Sequence, residues 1–129
     1  MATVASITRE LEVPYCHGIR KGFRCHEDHD LNGSVVDGVI HVRDRTVTRQ
    51  NIASVLKLVA RARDPTLADD VPWRRVYRIS VVVRALAAQL HYRIPRESFA
   101  ADRSFVLASV AGLPNNVPLR KQAFDWARR

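Results

Sequence analysis

Lysine is scarce in a strongly basic chain: of its 21 Lys and Arg residues only three are lysines, Lys21, Lys57 and Lys121. Positive charge is therefore carried by guanidinium, which is planar, weakly hydrated and forked, and so pairs with phosphate and stacks on bases and rings. A coding sequence rich in G and C produces the same bias without any functional cause. Cysteine is rarer still, with Cys16 and Cys25 only, which excludes a disulfide-dense secreted scaffold. No apolar run reaches the roughly 18 residues that span a bilayer. Residues 1–11 have neither the apolar core of a secretory signal nor the arginine content of a transit peptide. The expectation is a reducing intracellular compartment and no membrane partner.

Glycine occurs five times and never clusters. Neither G-x-x-x-x-G-K-S/T nor G-x-G-x-x-G is present, which removes the usual phosphate-cradling loops and with them nucleotide hydrolysis and dinucleotide binding. Internal repeats and low-complexity tracts are absent too.

What is present is charge and pattern. A formal net charge of +8 and a pI near 10.5 imply attraction to a polyanion. Hydrophobic residues at 47% and charged residues at 26% are those of a globular protein, not a disordered one. At 129 residues the chain is read as a single domain 1–129, irregular or β over 1–45 and helical over 46–129.

Residues 1–45 are short on helical period. Residues 11–15 read as extended, since Pro14 disfavours helix at Val13. Residues 34–43 alternate weakly around Val36, Val39, Ile40 and Val42, and the turn pairs Asn32-Gly33 and Asp37-Gly38 predict a hairpin. Beyond Thr48 the period becomes helical. Ile52, Val55, Leu56 and Val59 form one apolar stripe, with Thr48 as cap and Pro65 just past the end. Arg49, Lys57 and Arg61 fall off that stripe and predict a basic outer face.

Asp69-Asp70 before Pro72 predicts the next helix start. Val76, Ile79, Val83, Leu86 and Leu90 then follow a heptad-like seam. Residues 76–83 are also β-branched enough to read as a strand, but the seam continues through alanines to Leu90, which favours helix. A third helix is predicted over 97–111, stopped by a left-handed Gly112 and by Pro114. A last short helix, capped by Asn115 or Asn116, carries Leu119, Ala123 and Trp126. The predicted fold class is mainly α, an irregular N-terminal segment with a small β-hairpin packed on a bundle of about four helices. The alternative is α+β with residues 76–83 as a strand.

Two constellations carry chemistry. Cys16, Cys25 and His29, with His41, or with His17 or His26 instead, supply the thiolate and imidazole donors of a structural zinc site. Cys16 and Cys25 have eight residues between them, and Cys25 and His29 have three. Both spacings occur in the CCCH fingers that bind RNA, whose middle cysteine this chain lacks, so no family is assigned. The bland reading makes both cysteines small buried hydrophobes. The run 26–30, His-Glu-Asp-His-Asp, is a weaker candidate for a Mg²⁺-dependent nuclease centre. Cys16 with His17 is the one conceivable nucleophilic dyad, and sequence neighbours seldom face one another productively.

The second constellation is three groups of basic residues beside aromatic rings. These are Arg20, Lys21 and Arg24 near Tyr15 and Phe23; Arg74, Arg75 and Arg78 with Trp73 and Tyr77; and Arg120, Lys121, Arg128 and Arg129 around Trp126. Cations for phosphates and rings for unpaired bases suit RNA. The bland reading places the arginines on a solvated face and the rings in the core. The expected function is non-enzymatic nucleic-acid binding, RNA favoured, within a ribonucleoprotein or viral nucleoprotein assembly alongside other protein subunits. The alternative is a structural subunit that meets an acidic protein.

Overall fold

A computed structural model describes residues 2–18, 31, 33–67 and 70–129. The chain begins with a helix that its hydrophobic period hardly signals, α1 (Val4–Glu10). Its start is a reciprocal cap: Ser6 N–H donates to Thr3 Oγ1 at 3.1 Å and Thr3 N–H donates to Ser6 Oγ at 2.8 Å. Both orphan donors are thereby satisfied, with Ser doing the work that Glu or Gln usually does. Its end is a Schellman turn, in which Glu12 N–H donates to Arg9 O and Val13 N–H to Thr8 O. Glu12 sits at φ 57°, a left-handed position that glycine normally takes. Residues 1–45 were expected to be irregular or β; α1 corrects that expectation.

Three short strands follow: β1 (Tyr15–His17), β2 (Ser34–Val36) and β3 (Val39–Val42), in the order β1-β3-β2. The hairpin β2–β3 turns on Asp37 and Gly38, with φ 52° and 76°. Two positive φ values in a two-residue loop match the right-handed twist of the strands, which is why the Asp-Gly pair marks the turn. Strand β1 pairs with β3 in parallel, Tyr15 opposite Ile40 and Cys16 opposite His41. The N-terminal segment is stitched to the chain after β3 by a Thr3–Thr46 bridge and by Val4 N–H donating to Arg45 O.

The mainly α body consists of α2 (Ile52–Arg63), α3 (Pro72–Gln89), α4 (Ala100–Ala111) and α5 (Arg120–Arg128). Thr48 and Asn51 exchange side-chain and backbone bonds before α2, and Asp64 and Pro65 end it. Asp64 accepts from both the backbone N–H and the hydroxyl of Thr66, which holds its carboxyl below the usual range. Pro72 opens α3 as expected. The cap position is Val71 rather than an aspartate. Residues 76–83 are helical, so the strand alternative for them does not hold.

Two further details depart from expectation. Gly112 ends α4 at φ −89°, not left-handed, and the cap of α5 is Leu119 instead of an asparagine. Among the described residues no helix is long and apolar enough to cross a membrane.

Helix α2 is the centre of the packing. Every residue from Ile52 to Ala60 is buried, because Ala53, Ser54, Leu58 and Ala60 fill the side opposite the predicted stripe. A helix apolar all round belongs inside. Gly33 gains its purpose here: a Cβ at that position would lie 2.8 Å from Leu58 Cδ1. Val4, Ile7, Ile40, Val42, α2, the inner face of α3 (Ile79, Val83, Leu86) and Phe99 form one core. Trp73, Val106, Val110, Ala123 and Trp126 form a second between α3, α4 and α5.

Lys57 was expected on a basic outer face, yet it is 8% exposed and ion-paired with Asp102 of α4 at 3.0 Å. An apolar surround makes the lone charge untenable, so α4 must bring a carboxylate.

Past α3 the chain reverses on a second Schellman turn. His91 N–H donates to Ala88 O and Tyr92 N–H to Ala87 O, with His91 at φ 60°. This folds residues 92–95 back beside the end of α3, and the 3-10 turn Arg96–Phe99 then leads into α4.

Two stability outcomes follow from these contacts. Asp102→Asn strands a buried ammonium and is expected to cost about 3 kcal/mol in urea unfolding, whereas the double change Lys57→Met with Asp102→Leu recovers most of the loss. Equal losses in the two variants would show that the pair has no part in seating α4. At the second Schellman turn, His91→Val is expected to be less stable than His91→Gly by about 1–2 kcal/mol, since a β-branched residue resists the left-handed region; identical midpoints would contradict that geometry.

Candidate nucleic-acid interface

The fold sorts the arginines into two populations. Those singled out by sequence proximity to aromatic rings are largely used by the fold. Arg74, Arg75 and Arg78 on α3 are half-buried and already engaged in contacts within the protein, and the charge of Arg78 helps lower the Asp64 carboxyl. Trp73 is buried, and its ring belongs to the second core, leaving no open face for a base. Arg120 is half-buried: its Nε donates to Leu113 O at 3.1 Å and its guanidinium lies over Phe124. Arg128 lies over the same ring at 5.2 Å. Lys121 and Arg129 of this group are exposed. Arg20, Lys21 and Arg24 lie outside the described residues.

A second population draws Arg49 from the expected basic face and Arg129 from the last basic group together with Arg84, Arg93 and Arg96, which sequence did not single out. A cleft of about 740 Å³ is walled by Arg49, Arg84, Arg93, Arg96 and Arg129, all exposed. Its floor includes Ala87, Tyr92, Ile94, Pro95 and Phe99, and among the described residues Glu97 is the one acidic side chain that lines it. Four stretches of chain build it: the approach to α2, the last turns of α3, the reversal at His91 with its 3-10 turn, and the end of α5. Small side chains at Ala87 and Ala88 leave the space that the arginines surround. Among the described residues, none of these five arginines pairs with a carboxylate.

The cleft continues in both directions. At one end Arg49, Pro95 and Glu97 also line a neighbouring hollow of about 330 Å³ with Gln50 and Ser98. At the other, Arg84 and Arg129 are shared with a hollow of about 360 Å³ lined by Tyr77, Val81, Gln122, Asp125 and Trp126. Through these shared lining residues the three hollows adjoin, and together they are called the groove. Tyr77, expected from sequence to stack, reaches this groove; its ring is held edge-on against Trp126 at 5.7 Å.

The proposed metal ligands are split. Cys25 and His29 lie outside the described residues, as does His26. Cys16 and His41 are partners across β1 and β3, so alternation along each strand places both on the face opposite Ile40 and Val42. Ser34 of β2 is the third residue of that row. Among the described residues no group of three or more His, Cys, Asp or Glu is placed to hold a metal ion. His17 Nδ1 accepts the Asp44 backbone N–H at 2.9 Å, which leaves only Nε2 for any other partner. Tyr15, beside the first basic group in sequence, donates its hydroxyl to Val42 O at 3.0 Å. Burial pushes that hydroxyl's pKa up, with Asp44 and Cys16 adding to the effect.

No protein-family model matches this chain, and no curated protein or solved structure matches it either.

Proposed function

We propose that the protein binds nucleic acid, RNA in preference, as a non-enzymatic component of a ribonucleoprotein or viral nucleoprotein assembly. The observation that carries this reading is the main cleft of the groove, where five exposed arginines converge and Glu97 is the one acidic side chain among the lining residues. Like charges held together without carboxylate partners repel one another, and an incoming polyanion relieves that repulsion. Guanidinium suits phosphate because it donates two parallel hydrogen bonds. Two further hollows that share lining residues with the main cleft offer more surface than a compact anion needs and fit a longer polyanion. A surplus of +8 over the whole chain adds long-range attraction.

Neutralising about five phosphates on a single strand implies a slope near −3.5 in log affinity against log salt. A fluorescence-anisotropy titration with single-stranded RNA is therefore expected to lose about 100-fold in affinity across a fourfold rise in salt. Charge reversal at Arg49, Arg93 and Arg96 together should abolish binding, whereas reversal at the exposed Arg9 and Arg63, which lie elsewhere, should change it little. Negligible affinity at low salt, or full affinity in the triple variant, would defeat the reading. Binding of an acidic protein but not RNA would instead favour a structural subunit with an acidic partner.

A further inference from the structure

The groove contains a planar cation that already rests on a core ring. Arg84 projects from α3, with its guanidinium 5.4 Å from the centre of the Phe99 ring. Phe99 itself is buried, so the ring supports the guanidinium from below and offers nothing to a ligand. Arg84 is exposed and lines both the main cleft and the hollow beside Tyr77. The guanidinium thus has Phe99 on its protein side and is otherwise open to the cleft. Tyr92, placed by the Schellman turn at His91, lines the same cleft.

We propose that this cleft is a subsite for unpaired nucleotides of single-stranded RNA, with a base laid on the outer face of Arg84 and flanking phosphates held by Arg49, Arg93, Arg96 and Arg129. The inference rests on the nucleic-acid reading above and deepens it. A volume near 740 Å³ is in the usual range of clefts that accept a ligand. A duplex keeps its bases paired and stacked, so it meets this surface only through backbone phosphates across the groove's rim. A single strand can turn a base inward, and every base has a π-face for a guanidinium. The cation–π contact with Phe99 favours one placement of the Arg84 side chain before any ligand arrives. Less side-chain freedom is then lost on binding.

The test compares three probes on the full chain: a mixed-sequence single-stranded RNA, the same strand annealed to its complement, and inorganic polyphosphate. Wild-type protein is expected to prefer the single strand over the duplex by about tenfold. The variant Arg84→Lys keeps the charge and removes the plane. It should lower single-strand affinity about tenfold more than it lowers polyphosphate affinity, and so erase the preference. Both residues are good helix formers at an exposed position, and an unchanged unfolding midpoint confirms that the variant is folded. Equal affinity of the wild type for single strand and duplex, or equal losses on all three probes in Arg84→Lys, would overturn the subsite while leaving polyanion binding intact. Failure of the wild type to bind any probe would overturn both.

Discussion

The fold turns on a charge that has nowhere else to go. Helix α2 is buried on all sides, and Lys57 in its middle is enclosed with the apolar residues around it. An unpaired ammonium in such surroundings costs several kcal/mol, of the order of a large part of a domain's net stability. Asp102 answers it at 3.0 Å, and because Asp102 is on α4, the answer fixes where α4 lies. The position of α4 in turn sets the 3-10 turn before it, Phe99 within that turn, and the wall of the groove. A buried ion pair is a modest source of stability compared with apolar packing, but it is demanding about geometry.

The same logic explains why the arginines fall into two sets. Guanidiniums on long stems can cover apolar surface and satisfy carbonyls or rings. Arg120 and Arg128 do so around Phe124, and Arg74, Arg75 and Arg78 are engaged in contacts within the protein. The groove set lies where chain ends and reversals meet, with one acid, Glu97, among the lining residues. Arg84 bridges the sets: it rests on a core ring and still faces outward.

Local chemistry was legible in the sequence. The Asp37-Gly38 turn, Pro72 at the start of α3, the seam from Ile79 to Leu86 and the four helices beyond Thr48 are written in neighbouring residues, and the structure has all of them. Helix α1 was hidden because Ser6 stands where a capping box usually has Glu or Gln, and Glu12 stands where a stop signal usually has glycine. The burial of Lys57 was hidden for another reason. A helical wheel places a charge off the stripe, and only tertiary packing reveals that no side of the helix meets water. The groove was out of reach by any local rule, since Arg49, Arg84, Arg93 and Arg129 are brought together by the reversal at His91 and the docking of α5. Conversely, Trp73 beside Arg74 and Arg75 looks like a stacking patch in one dimension and is a core residue in three.

The central claim is spatial: a polyanion occupies the groove and not the basic residues spread elsewhere. Arginine-selective dicarbonyl labelling, read by mass spectrometry with and without single-stranded RNA, tests it directly. Protection is expected at Arg49, Arg84, Arg93, Arg96 and Arg129, with Arg9 and Arg63 labelled equally in both states. Protection confined to residues away from the groove, or uniform labelling throughout, would contradict the account.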